Sequence, residues 1–336
     1  MHSRLIVMAR FFSQKRWAIW LFYGVLTLVY FLVLGQKFIA NWQPPTWMIA
    51  PIMAFGSFVA GSTFLGGGSV AFPALTKIYS FEPVIAKSFS LAIQSVGMTS
   101  ASLYIFTRVR GWPMGFMALY LLGATLGLLF SIGYLEAQIP PLDIRISFTL
   151  FLLCFLAVYL LTSNIHNISS DTHLENNARD VSLTMFCGIF GGMVSGLLGS
   201  GADLVGFTLL VFYFRIEIRR AIQTSVVLMA ATSILGIVIQ YLIRGIDPQV
   251  VDLWYVAAPV VLFGAPLGAV LCCYLSKRFL VLFICLIVAA EVVSTIMLVP
   301  IDRSRLVYYL LAAMTFIGLL AAFRILALQK HGSTDT

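Results

Sequence analysis

Gly66, Gly67 and Gly68 stand in a row inside an apolar run from Trp47 to Tyr79, followed by Ser69 and then Pro73. A second cluster, Gly199-Ser200-Gly201 with Asp203 close behind, sits inside the apolar run Val181 to Phe214. Consecutive glycines cost a helix about 1 kcal/mol each relative to alanine, so neither run is expected to be one uninterrupted helix. Each reads as two half-helices joined by unwound backbone, which lipid tolerates only where protein buries it or where it lines a polar cavity. Where a half-helix starts at such a cluster, its free N–H groups and the positive end of its dipole make an oxyanion site without a buried cation. Glycine also lets the anion approach the backbone. Ser69 and Ser200 add hydroxyl donors, and Gln94, Ser95, Gln223, Thr224 and Ser225 lie in the helices that follow. Two interrupted hydrophobic segments in matching positions are the sequence pattern of a carrier's binding site.

Two acids lie within apolar runs, Asp203 beside the second cluster and Glu291 within Phe279 to Val299. An ionisable group at such depth is a functional candidate. Asp203 has three readings: carrier of a coupled proton, shaper of the site's field, or N-cap of the second half-helix. Next to an anion its carboxylate would have to be protonated. Glu291 reads equally as a proton-coupling group or as the partner of a buried hydroxyl or basic group. Lys87, Arg108 and Arg244 lie near span ends and read chiefly as anchors snorkelling to headgroups, with attraction of a substrate as the second reading. The spaced pairs Gly123/Gly127 and Gly264/Gly268 read as close helix packing. Trp17, Trp42, Trp47, Trp112 and Trp254 read as an aromatic belt.

The rest of the composition fits this setting. Of 336 residues, 60% are hydrophobic and 10% charged, against about 25% charged in soluble domains; the mean hydropathy is +0.98. The net charge of +8 comes from basic residues scattered between apolar runs, which suits topology anchors and no nucleic-acid surface. Cys154, Cys187, Cys272, Cys273 and Cys285 fall in apolar runs without CxxC spacing and read as packing residues. All four histidines lie outside the apolar spans, which disfavours a membrane Ser–His dyad or a His-bound metal. There is no HExxH, P-loop or GxSxG motif. No enzyme, catalytic residue, cofactor or metal is expected.

The elements that must position the clusters are spans at Trp17 to Leu34, Val84 to Thr107, Met114 to Leu135, Ile144 to Thr162, Ala221 to Ile243, Leu253 to Leu275, Phe279 to Val299 and Leu306 to Leu328. With the broken segments they predict an all-α polytopic integral membrane protein of about 8–10 membrane helices. The basic start before Trp17 lacks a following A-x-A site, so the first helix is expected to be retained. Gln36 to Thr46 is expected to be a loop. LGGGS at Leu65 to Ser69 matches LGSGA at Leu198 to Ala202, and AKSFSL at Ala86 to Leu91 matches AIQTSV at Ala221 to Val226. Arg110-Gly111 matches Arg244-Gly245, and GATLG at Gly123 to Gly127 matches GAPLG at Gly264 to Gly268. Four landmarks in one order predict an internal duplication. The division is 1–46 (extra helix and loop), 47–162 (first repeat), 163–180 (polar loop), 181–299 (second repeat) and 300–336 (C-terminal helix and tail). Two-thirds of the Lys and Arg residues fall on the N-terminal side whether the broken segments cross or re-enter. That predicts a cytoplasmic N-terminus. Re-entry would make the repeats inverted, as alternating access commonly uses.

At these residues the chain resembles the TauE/SafE family of membrane permeases, from about Pro51 to Val299. The first half carries the resemblance through Gly56, Gly61, Gly66 to Gly68 and Pro73. The second carries it through Gly188, Gly192, Gly196, Gly199, Gly201, Ala221, Thr224 and Ser225. The chain departs from the family pattern at Phe89, where that pattern prefers threonine, and at Ser200, Ala202 and Asp203 near the second glycine cluster, which no proline follows. The resemblance implies export of sulfite or a small sulfur-containing organic anion across a bacterial inner membrane by a secondary carrier. Alternatives are a passive anion channel, a carrier for another small carboxylate or sulfonate, and an assembly scaffold, against which the paired broken segments speak. Expected partners are the small anion, the lipid bilayer and, as one arrangement, a second copy in a homodimer. No nucleic acid is expected.

Overall fold

The computed structural model describes residues 17–44, 46–63, 65–162, 177–272, 274–275, 277–299, 307–311, 313–315 and 317–318. The regular structure of these residues is all helical, and among them seven helices are long and apolar enough to cross a membrane. The last predicted span, 306–328, lies largely outside the described residues. α1 (Trp17–Asn41) continues past Leu34 through the stretch predicted as a loop, and Asn41 Nδ2 bonds the Lys37 carbonyl at 3.0 Å. It stops just before Pro44, whose ring cannot continue a helix. Leu32, Leu242 and Met297 are 76%, 74% and 77% exposed; apolar side chains displayed this way suit a lipid solvent. α1 is peripheral, tied down by Tyr23 Oη on the Ser100 carbonyl at 2.6 Å and by Tyr30 Oη on the Tyr255 carbonyl.

Two series of elements follow in the same order. The first is α2 (Ile49–Ser62), α3 (Gly68–Pro73), a π-turn (Ala74–Ile78), α4 (Pro83–Phe106), α5 (Met114–Gly133) and α6 (Pro141–Thr162). The second is α7 (Ala178–Leu198), α8 (Ala202–Thr208), a π-turn (Leu209–Tyr213), α9 (Ile218–Arg244), α10 (Pro248–Cys272) and α11 (Lys277–Leu298). Left-handed backbone recurs at the same points. Gly66 and Gly199 have φ of 70° and 76°, Ser80 and Arg215 56° and 53°, Gly111 and Gly245 73° and 77°.

Each broken segment is a hairpin. Tyr213 Oη at the end of the second bonds Asp180 Oδ1 at its start, at 2.7 Å, so the chain has returned to the level where α7 began. In the first, a Cβ on Gly56 would lie 3.2 Å from Val70 Cβ, so α3 runs back along α2. Three transits, α4, α5 and α6, separate the hairpins, and an odd number makes them point in opposite directions. Contact bears this out: Lys87, near the start of α4, reaches the Gly196 carbonyl near the tip of the second hairpin at 3.1 Å.

The halves are interlocked. α7 pairs most extensively with α5, and α2 with α10. Both pairings are glycine-lined. A Cβ on Gly123 or Gly127 would strike the carbonyls of Met185 and Ile189, and one on Gly188 or Gly192 those of Tyr120 and Ala124. Gly61 and Gly268 meet the Ala265 and Phe58 carbonyls in the same way. In lipid, where apolar burial does not drive helices together, such backbone contact supplies the packing energy. Both spaced pairs therefore pack helices, as the sequence suggested. α4 and α9 cross between them, together with α10 on α4, and bring the hairpin tips to the centre.

Candidate functional site

Each break has its own local cause. α2 ends at Thr63 in extended backbone, with Thr63 Oγ1 and N–H both on the Val59 carbonyl at 2.9 Å. Gly66 then turns left-handed and α3 opens at Gly68. α7 ends at Gly199, whose N–H returns to the Ser195 carbonyl at 2.8 Å, a left-handed helix cap. Gly201 has φ of 135°, a backbone open in practice only to glycine, and α8 begins at Ala202.

The breaks face each other through surfaces without side chains. A Cβ on Gly66 would stand 2.6 Å from Asp203 Oδ2 and 2.7 Å from Met229 Cε. One on Gly68 would overlap Ser200 Oγ and lie 3.0 Å from Ser90 Oγ. α4 lays polar groups across this contact. Ser90 Oγ and Gln94 Nε2 donate to the Gly199 carbonyl at 3.1 and 3.0 Å, Gln94 Nε2 also bonds Ser90 Oγ, and Gln94 Cγ faces Gly67. From α5, Tyr120 Oη donates to the Ala202 carbonyl at 2.6 Å.

Asp203 is 1% exposed and stands at the start of α8. Its Oδ1 accepts the Gly201 N–H at 3.0 Å, and Ser195 Oγ accepts the Ala202 N–H at 2.9 Å. Oδ2 has no hydrogen-bond partner among the described residues and faces Gly66. The N-cap of α8 is thus Gly201 and not Asp203, whose carboxylate accepts the cap residue's own N–H.

Residues 49–294 match the profile of a family described as sulfite exporter TauE/SafE. The chain belongs to that family. It is a multi-pass membrane transporter, of a transporter family rather than an enzyme family. A probable membrane transporter protein of Methanocaldococcus jannaschii is 26% identical over 230 residues, 65% of this chain and 82% of that one. No solved structure matches it significantly.

In this TauE/SafE transporter, Gly66 to Gly68, Gln94, Gly199 to Gly201 and Asp203 come together at one place. Ser69 is adjacent, but its Oγ donates to the Gly66 carbonyl at 2.7 Å and so ties its own turn. Ser95, Thr224 and Ser225 bond carbonyls of their own helices, those of Ala92, Arg220 and Ile222 at 2.8, 3.0 and 2.9 Å, and Gln223 is half-buried. Met229, not these residues, carries α9 to the break. Ser90, Met229, Tyr120 and Ser195 were missed. For Ser90 and Met229 a signal existed: Ser90 precedes Gln94 by one turn, and Met229 takes Gln94's place in the matched helix.

Glu291 is elsewhere. Its Oε1 pairs with Lys77 Nζ at 2.6 Å and accepts Thr149 Oγ1 at 2.8 Å, while Lys77 also donates to Ser294 and Thr295 at 2.9 and 2.8 Å. The pair borders an apolar groove of about 760 Å³ between the first hairpin and α11, lined by Phe55, Pro73 and Phe283 among others. Removing one partner of a buried pair costs about 3–5 kcal/mol, whereas an apolar replacement of both is often neutral. Lys77→Met is therefore expected to lower the thermal midpoint of the purified transporter and Lys77→Met/Glu291→Met to restore most of it, as read by unfolding in detergent.

The anchor reading of Lys87 is corrected. Lys87 is 1% exposed, and its Nζ pairs with Glu136 Oε2 at 2.5 Å. Arg244 Nε lies 3.4 Å from the same oxygen and donates to the Ile132 carbonyl at 2.8 Å. A lysine in the first turns of an apolar helix cannot snorkel once another helix covers it; it needs a counter-ion. Arg108 remains peripheral, with its Nη2 on Tyr104 Oη at 2.6 Å.

Proposed function

We propose that this transporter is a secondary carrier exporting sulfite or a small sulfur-containing organic anion across a bacterial cytoplasmic membrane. In this reading the N-terminus is cytoplasmic and an ion gradient drives the flux. Residues 47–162 and 181–299 act as two inverted repeats that rock against each other around one central site. The observation that carries the proposal is the contact between two oppositely directed hairpin tips through bare backbone at Gly66 to Gly68 and Gly199 to Gly201. No solute fits between Gly68 and Ser200 in this conformation, so the observed state is closed, and transport requires the tips to part. Parting them exposes the start of α8, where N–H groups and hydroxyls favour an oxyanion.

Asp203 is the coupling candidate. It now holds the Gly201 N–H; an arriving anion would displace it, and a proton on the displaced carboxyl would remove the repulsion. Glu291, held by Lys77, keeps an architectural role.

The test is uptake of labelled sulfite into proteoliposomes with and without an imposed pH gradient, against taurine, sulfoacetate, sulfate and acetate. Saturable, gradient-driven flux that Asp203→Asn uncouples from the gradient by about tenfold is expected. Non-saturating flux indifferent to the gradient would make the protein a channel. Absence of sulfur-anion flux in folded protein would overturn the substrate.

A further inference from the structure

Lys87, Glu136 and Arg244 join four elements beside the tip of the second hairpin. Lys87 comes from α4, Glu136 from the 3₁₀ turn after α5 (Leu135–Ala137), Arg244 from the end of α9, and α7 supplies the Gly196 carbonyl. The cluster borders the break directly, since a Cβ on Gly199 would lie 2.8 Å from the Lys87 carbonyl and 2.9 Å from its Cα. Two cations and one carboxylate leave one positive charge uncompensated. Glu136 Oε2 takes both cations while Oε1 is buried without a hydrogen-bond partner among the described residues. Arg244 is one-third exposed and opens the cluster toward the end of the bundle where α5 and α9 finish. The matched position of Lys87 in α9 is Ile222, 2% exposed. The cluster therefore belongs to one end only.

The geometry points to a second anion seat, built by Lys87 and Arg244 and occupied in the closed state by the carboxylate of Glu136, which a transported oxyanion displaces. A buried lysine needs an anion beside it at every stage, and the chain supplies one when no solute is present. Among the described residues the charged groups facing Glu136 are Lys87 from α4 and Arg244 from α9, and α7 presents a carbonyl. Once the Glu136 carboxylate is displaced, Lys87 and Arg244 face the incoming oxyanion as two positive charges. With the N-terminus cytoplasmic, the ends of α5 and α9 lie at the outer face, so the seat receives an exported anion beside Gly199 on its way out and gives the two ends of the pathway different chemistry. The transport role rests on the carrier proposed above; the seat itself does not.

Two measurements on the full-length purified protein separate these. The first is thermal unfolding in detergent against sulfate, inorganic phosphate and sulfite at constant ionic strength. Glu136→Gln leaves the seat vacant, so these oxyanions should raise its midpoint by about 2–5 °C more than they raise the wild type's, and Lys87→Met/Glu136→Gln should lose that gain. Equal response in all three proteins would overturn the seat, whatever the protein transports. The second is labelled-sulfite flux in proteoliposomes. In Lys87→Met/Glu136→Gln the flux at low sulfite should fall about tenfold below that of Glu136→Gln, and an unchanged flux would overturn the seat's part in transport. A Lys87-dependent oxyanion response without sulfite flux in the wild type would uphold the seat and remove sulfite as substrate.

Discussion

Gly66→Ala is expected to give a folded protein whose initial rate of labelled-sulfite uptake falls on the order of 100-fold, as small misplacements at a reacting centre do. The methyl group meets two obstacles. Gly66 has φ of 70°, where a side chain costs about 1–2 kcal/mol. Its Cβ would also stand 2.6 Å from Asp203 Oδ2 and 2.7 Å from Met229 Cε. Both neighbours are side-chain ends and can move, so the fold survives; what moves is the carboxylate that holds the start of α8. The closed contact between the hairpins would be lost, and with it the alternation between closed and open tips. Gly24→Ala is the control, because a Cβ there has nothing within 4 Å. Uptake by Gly66→Ala within threefold of the Gly24→Ala protein, at equal thermal midpoints, would show that the contact has no part in transport.

Gly127→Val is expected to act on stability instead. Its Cβ would overlap the Ile189 carbonyl and lie 2.7 Å from Met193 N, and both are backbone of α7. No rotamer relieves that clash. α5 and α7 must separate, which also loosens the contacts at Gly123, Gly188 and Gly192. Overpacking costs about 1–3 kcal/mol and occasionally more. A chain of this size should lose about 5–10 °C in thermal midpoint, or elute as aggregate on size exclusion. Gly24→Val again serves as control. A midpoint unchanged within 1–2 °C, on the same scale, would mean the helix pair is looser than the structure has it.

The two predictions differ in kind because glycine serves two purposes here. At Gly127 it admits a neighbouring backbone; at Gly66 it also turns the chain. Sequence spacing distinguished them correctly. Pairs four residues apart in otherwise regular helices read as packing surfaces, and a run of glycines ahead of Pro73 read as a break. Partnering was less legible. Asp203 was singled out by its depth, but that its free oxygen faces Gly66, from the other half of the chain, follows from two hairpins entering from opposite ends. Lys87 was read as a headgroup anchor because it lies near a helix start. It became half of a buried ion pair because α5 brings Glu136 across α4.

The sequence by itself determined the solvent, the helices and the places where they break, since hydropathy, glycine and proline act over one or two turns of chain. It also placed the chain in its family through motifs that are contiguous. Whether the broken segments cross or fold back was left open by charge, which is equally partitioned either way. The return of Tyr213 to Asp180 decided it. Only the tertiary structure could show that the glycine clusters meet, that Gln94 and Ser90 bridge them, and that Ser95 and Thr224 bond their own helices. These depend on the rotation and depth of each helix, which are set by backbone contacts between helices far apart in the chain.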